Sequence, residues 1–274
     1  MFRREPNAFG SGLCVDDVDR GFDERWRRNP KPQRTTPGVF EMKTGRVPAH
    51  YAGQLVLDAG CGCGRFAHEL HLNGVHAIGV DVAPHALEAA VKNGVPRENL
   101  YCESLLDLPF IDGAFDAAYS IGVLHHTPDP LAAFLEVART VRVGGELAVW
   151  VYAQPVPDSL LPAHDFLHAI TRACPPAALY DACEKYAVAL RDMYTRHVVA
   201  GTPVGVHRDL ATILRVSGSS DDAECISDTF DWHTPQRRFW HTKEEVRGWF
   251  EGAGFRVDWT GEFPVSMRGT KVER

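Results

Sequence analysis

The chain has 274 residues, 45% hydrophobic and 24% charged, with a formal net charge of −7. This is the composition of a folded protein, long enough to bury a real core and sized for one α/β domain with an elaboration. No apolar run approaches membrane-spanning length, and the acidic balance without a long basic run argues against a general nucleic-acid footprint.

Residues 1–37 mix charge, Pro and Gly, with Phe22 and Trp26 as isolated apolar anchors, and are expected to form an extended arm on the body. At Leu55-Val56-Leu57 the rhythm changes to a short continuous apolar run ended by glycines, as in a strand buried on both faces. Helical spacing follows over 64–72, then a strand over 76–82. A helix with Pro84 in its first turn covers 84–92, and short strands are expected over 99–103 and 115–121. Asp129 is a candidate N-cap for a helix through 141, with Gly144-Gly145 as its stop and a fifth strand over 147–152. The alternation argues for a doubly wound, mostly parallel sheet.

The pattern breaks at Gln154-Pro155-Val156-Pro157. Residues 154–240 read as a helical insertion, with Leu179, Cys183, Tyr186, Leu190 and Met193 at helical spacing and a polar loop over 217–222. Alternation resumes at Thr242-Lys243-Glu244-Glu245, a capping-box pattern for a helix through 250. A strand over 255–259 and a last antiparallel edge strand over 265–271 complete the chain. The expected domains are therefore an arm (1–37), a core (38–153), a cap (154–240) and a closing segment (241–274).

The first strand ends in Asp58-Ala59-Gly60-Cys61-Gly62-Cys63-Gly64, directly before a helix. Open parallel sheets bind ligands at the carboxyl ends of their strands, and glycines there allow close approach. A dinucleotide or S-adenosylmethionine (SAM) would each suit such a loop. A dinucleotide fingerprint wants a further glycine where Arg65 stands. Asp58 would repel a pyrophosphate but suits a ligand with ammonium and sulfonium charges. Asp81 ends the second strand at the spacing of an acid that holds ribose hydroxyls. Asp58 alone could equally be a turn acid. Cys61 and Cys63, one residue apart and without a companion pair at zinc spacing, read as small loop fillers.

With Ile78-Gly79-Val80-Asp81, the 108–116 segment Leu-Pro-Phe-Ile-Asp-Gly-Ala-Phe-Asp and Val143-Gly144-Gly145-Glu146-Leu147, the chain resembles the class I SAM-dependent methyltransferases of the small-molecule group. The resemblance covers roughly 40–153 and 242–262. It implies a seven-stranded Rossmann-like sheet, SAM as cofactor and S-adenosylhomocysteine (SAH) as product. It further implies that Gly60, Gly62 and Gly64 cradle the methionine part, Asp58 orients its amino group, Asp81 holds the ribose and Val82 packs on adenine. Ser104 and Leu105 fall at the adenine-contact positions; Ser104 replaces the family's usual acid, and Glu103 is a possible substitute. Ile121 would line the methionine side.

Methyl transfer from a sulfonium needs alignment above all, and a base where the acceptor is a hydroxyl or a protonated amine. His125 and His126, after the fourth strand, are the candidates, with a structural role as the alternative for at least one. Tyr152 is a candidate pocket residue. In the insertion, Asp231, Trp232 and His233 are candidate acceptor contacts, although Trp232 and Trp240 would equally serve as anchors of the cap. His164 and His168 share a helix face; no metal site is expected from the scattered His residues, His197 and His207 included. The expected reaction is methyl transfer to oxygen or nitrogen of a small organic metabolite. A non-methylating reaction such as a cyclisation, or SAM as a structural ligand, stays open, as does the oligomeric state. Seven cysteines without a secretory signal point to reduced thiols and a cytoplasmic setting, with neither nucleic acid nor membrane as partner.

Overall fold

The computed structural model describes residues 1–7, 20–29, 37–153, 160–199, 214–262 and 265–273. These residues fall into two units. The first holds 1–7, 37–153 and 237–273; the second holds 20–29, 160–199 and 214–236.

The first unit is built on a seven-stranded sheet in the order β3-β2-β1-β4-β5-β7-β6. β1 (Leu55–Ala59), β2 (His76–Asp81), β3 (Leu100–Cys102), β4 (Phe115–Ile121) and β5 (Val141–Trp150) are parallel neighbours. β7 (Ser266–Lys271) runs antiparallel to both its neighbours, β5 and β6 (Phe255–Thr260). The doubly wound, mostly parallel expectation holds. The last strand is antiparallel as expected but is not the edge: β7 inserts between β5 and β6, and β6 forms the edge. β7 buries Ser266 to Gly269 there, while β6 buries only Phe255.

Strand alternation sorts the side chains into two cores. Leu57, Ala59, Val80, Phe110 and Phe115 join Phe134 of helix Pro130–Thr140 and Phe250 of helix Lys243–Gly252 on one face. Val56, Ala77 and Tyr119 meet Phe40, Phe66, Leu70 and Leu87 on the other. Asp58 lies in register with Tyr119 and follows Val56 by two residues, so it faces this second core.

Helix Pro130–Thr140 starts as expected, with the Asp129 carboxylate accepting from Ala132 N at 2.9 Å. Its end differs: β5 begins at once at Val141, and Gly144-Gly145 lie inside the strand. The pairing steps from Phe115↔Val141 to Ala117↔Glu146, so β5 bulges there. A Cβ on Gly145 would come 2.5 Å from the Asp116 carbonyl oxygen, which is why a glycine fills the bulge. The second capping expectation also holds, Thr242 accepting from Glu245 N at 3.1 Å.

The second unit contains helices Arg20–Arg28, Leu161–Ala173, Pro176–Val199 and Asp222–His233. Residues 20–28, expected in an extended arm, are helical. Trp26 is buried, and Arg25 pairs with Asp228 at 3.3 Å and Asp231 at 2.9 Å. The helix over 222–233 lies inside the insertion expected to be helical and follows the loop expected over 217–222, although no individual helix was assigned there. Its N-cap is Asp221, accepting from Glu224 N at 2.8 Å, and its Phe230 packs with Leu179, Tyr180 and Cys183. Residues 237–240, expected in the cap, belong to the first unit.

Candidate active site

At the end of β1 the amides of Gly60 and Cys61 both donate to the Val80 carbonyl, at 2.8 and 2.9 Å, which turns the chain sharply at the C-terminal edge of the sheet. Gly60 takes φ of 87°, and a Cβ there would collide with the Val123 side chain. Only glycine meets both demands. Two residues on, Gly62 N donates to Asp81 Oδ2 at 2.8 Å, while Ala83 N donates to Asp81 Oδ1 at 2.9 Å. The loop thus orients the Asp81 carboxylate. A carboxylate oxygen has more than one lone-pair site and can accept more than one hydrogen bond.

Asp58 is 2% exposed, and its Oδ2 is buried with no hydrogen-bond partner among the described residues. Burial pushes its carboxyl up to about 7; the nearby Asp81 adds to the rise, and the Tyr119 hydroxyl opposes it. The two side chains stand in register yet close no standard hydrogen bond, since the Tyr119 hydroxyl is itself unpartnered. A buried carboxylate without a partner is costly and fits a cationic ligand group. It does not fit a pyrophosphate. Cys61 and Cys63 are buried, and burial raises the Cys61 thiol well above its usual range, which suits the role of inert loop filler.

Val82 is half-buried and Leu105 buried at the ends of β2 and beyond β3. Ser104 Oγ accepts from Leu106 N at 3.2 Å, a local turn contact. Glu103 is not poised to replace the missing acid. Arg4 grips its two oxygens at 3.1 and 2.7 Å, and Asn7 N donates to it at 2.6 Å. Nothing in the sequence pairs residue 4 or 7 with residue 103; the contact forms because Asn7 O also accepts from Cys102 N at 2.9 Å beside the sheet edge.

Ile121 ends β4, half-buried and in register with Trp150. A short 3-10 turn over Leu124–His126 follows and brings both histidines against Tyr152. The His125 ring stacks on Tyr152 with centroids 3.8 Å apart, and His126 meets Tyr152 edge-on at 5.3 Å. Trp240 stacks on Tyr152 in turn, centroids 5.8 Å apart.

Backbone partners fix the two tautomers differently. Tyr152 N donates to His125 Nδ1 at 3.2 Å, so the neutral His125 ring carries its proton on Nε2. That Nε2 is buried with no hydrogen-bond partner among the described residues. Burial holds His125 well below the usual imidazole range, with His126 adding to the effect. His125 is therefore a neutral N–H donor. His126 Nδ1 lies 2.9 Å from the Arg237 carbonyl oxygen, which can only accept. The neutral His126 ring then carries its lone pair on Nε2, the arrangement a general base needs.

Two further residues escaped sequence reasoning. Lys43, on helix Val39–Thr44, holds Nζ 3.9 Å from the centroid of the Trp150 ring. Burial brings its ammonium down to about 8, and the Arg65 charge adds to this. Trp150 Nε1 is buried without a partner among the described residues. No motif marks either residue, because they meet only through the packing of that helix on β5.

Asp231, Trp232 and His233 close the last turn of helix Asp222–His233. Asp231 pairs with Arg25, Arg215 lies over Trp232 at 5.1 Å, and His233 Nε2 lies 2.6 Å from the Leu214 carbonyl. These contacts are internal to the second unit and give the three residues a part in holding it together. His168 bonds the Pro235 carbonyl at 3.0 Å and His164 faces Asp165 at 3.4 Å. The His197 side chain and His207 lie outside the described residues, among which no group of three or more His, Cys, Asp or Glu is arranged to hold a metal.

The family described as "Methyltransferase domain" matches residues 57–149. The O-methyltransferase resE of Aspergillus sclerotiorum is 33% identical over 164 residues, which cover 53% of this chain and 61% of that protein. The O-methyltransferase rstn1 of Aspergillus nomiae is 37% identical over 164 residues, covering 53% of this chain and 72% of that protein. Probable tRNA methyltransferase 9B of Mus musculus is 37% identical over 125 residues, 44% of this chain but only 27% of that protein. This chain thus spans less than two thirds of the first of these relatives and a small part of the third. Among solved structures, a chain from the complex of the Haloferax volcanii Trm112 methyltransferase activator with its methyltransferase aligns over 95% of this chain and 100% of its own length. Its TM-score is 0.51 at 16% identity, a likeness of fold.

Proposed function

The chain belongs to the class I SAM-dependent methyltransferases, and from that premise we propose that it moves a methyl group from SAM to an oxygen of a small organic acceptor. When bound, SAM supplies an electrophilic methyl group on a sulfonium. Asp58 binds the ammonium, the loop from Gly60 to Gly64 cradles the methionine part, and Asp81 accepts from the ribose hydroxyls. Val82 and Leu105 flank the adenine, and Ile121 borders the methionine side.

The observation that carries the reading is the orientation of His126. A hydroxyl acceptor must lose a proton as it attacks, and His126 Nε2 bears the lone pair to take it. The Arg237 carbonyl, accepting from Nδ1–H, stabilises the imidazolium that results. His125 cannot take that role through Nε2, since its Nδ1 lone pair is already engaged by Tyr152 N. It holds Tyr152 by stacking and offers a donor instead. Two of the relatives above are named O-methyltransferases, in line with this chemistry. The tRNA-related protein matches over 125 residues, 44% of this chain and 27% of its own length, and a net charge of −7 does not favour an RNA backbone.

The test is product identification. The protein is incubated with SAM and matched panels of small phenols, alcohols and amines, and with unmodified tRNA. SAH release is followed and methylated products are located by mass spectrometry. Oxygen-methylated small molecules are expected. Methyl groups on amines only or on tRNA only, or SAM binding without SAH release in every panel, would sink the proposal.

A further inference from the structure

The C-terminal ends of β4 and β5 carry a cluster of nitrogen donors with no acceptor among them. His125 Nε2 bears a proton by its tautomer and is buried, as is Trp150 Nε1, both without a partner among the described residues. The two rings stand edge to face, centroids 6.2 Å apart. Lys43 Nζ sits over the same indole at 3.9 Å, and no carboxylate of the described residues pairs with it. Its position is imposed from below. Phe40, one turn earlier on the same helix, is buried against Tyr119 at 5.1 Å and Phe66 at 5.7 Å. The helix ends at Gly45, whose amide donates to the Glu41 carbonyl at 2.7 Å.

Buried donors left unpaired are costly, and a cation held half-buried beside them adds to the deficit of negative charge. An anion relieves all three at once. The order of the sheet says which ligand supplies it. The groups assigned to the cofactor lie at β1 and β2 and beyond β3, with Ile121 alone on β4, whereas Trp150 ends β5, on the far side of β4. That is the half left for the acceptor, an assignment resting on the methyl-transfer reading above.

We infer that Lys43, Trp150 Nε1 and His125 Nε2 form an anion subsite that anchors a carboxylate of the methyl acceptor, making the substrate class small hydroxy-carboxylic acids. The carboxylate is held by Lys43 while a separate hydroxyl meets His126. Lys43 is a specificity-determining residue in this scheme, not a participant in the proton transfer.

Calorimetry on the full chain saturated with SAH tests this without turnover. The probes are 4-hydroxybenzoate and its uncharged analogue 4-hydroxybenzamide. The wild type should bind the acid about tenfold or more tighter than the amide. Lys43→Met should erase that preference, and Lys43→Arg should keep most of it. Trp150→Phe, which keeps the ring but removes the N–H, should reduce it several-fold and serves if Lys43→Met does not fold. No binding of the acid, no preference in the wild type, or a preference that survives Lys43→Met and Trp150→Phe overturns the inference. So does a loss of SAH affinity in Lys43→Met with 5′-methylthioadenosine affinity unchanged, which would place the cofactor's own carboxylate on Lys43. Nitrogen-methylated products would sink the oxygen-transfer reading yet leave this binding preference measurable by itself.

Discussion

Replacing Asp58 by Asn should abolish a pH dependence of cofactor binding that the wild type displays near neutrality. Burial pushes the Asp58 carboxyl from an ordinary 3.8 to about 7. A group at that position is ionised in about one molecule in eleven at pH 6 and about ten in eleven at pH 8. A ligand ammonium that needs the carboxylate should therefore bind about tenfold more tightly at pH 8 than at pH 6, with little change beyond. The free protein should show the opposite trend in stability. Its folded pKa lies above the unfolded one, so the native state holds an extra proton between them. The contribution is full below about pH 4 and is lost as pH rises through about 7, on the order of 4 kcal/mol at most. Asn keeps the shape and a carbonyl but cannot ionise. Calorimetric titration with SAH at several pH values, together with unfolding of the free protein, measures both effects. Wild-type affinity flat from pH 6 to 8, or a slope retained in Asp58→Asn, would refute the reasoning.

Other substitutions address separate parts of the account. His126→Ala should lower kcat by about a hundredfold or more and remove the acid limb of the pH–rate profile; an unchanged profile would rule out His126 as the base. His125→Ala should act through the packing of Tyr152, costing thermal stability while the shape of the pH profile survives; loss of the limb in this variant instead would reverse the assignment. Gly60→Ala should weaken SAH binding at least about tenfold and destabilise the fold by about 1–3 kcal/mol, since it strains a left-handed residue against Val123. Wild-type melting and SAH affinity would contradict that. Arg4→Ala leaves Glu103, 2% exposed, with only Asn7 opposite it, and should cost about 2 kcal/mol in chemical denaturation; a change below about 0.5 kcal/mol would show the contact to be idle.

The cofactor half of the site was legible because its signals are local. Short apolar runs ending in Asp58 and Asp81, with glycines where the chain must turn, specify strand, loop and helix within some thirty residues. Features set by distant packing were not legible. Gly144-Gly145 read as a helix stop, since nothing nearby announces that Asp116 crowds Gly145. The place of β7 between β5 and β6 is a choice between alternative pairings that the pattern of residues 266–271 cannot make. The helix over 222–233 was not delimited within the helical insertion because its polar sequence commits few residues to a core, chiefly Cys225 and Phe230. The two histidines were readable as candidates, but the tautomer each ring takes depends on the Tyr152 amide and the Arg237 carbonyl, supplied from other segments. Lys43 and Trp150 stand more than a hundred residues apart, and only helix packing brings them together.

The most direct measurement of the central claim is a crystal structure of the full chain with SAH. The account predicts the ligand ammonium on Asp58 Oδ2, the ribose hydroxyls on Asp81, and the sulfur at the end of β4 with its former methyl direction toward His126 Nε2. A ribose away from Asp81, an ammonium that leaves Asp58 unpaired, or a sulfur turned away from His126 would contradict it.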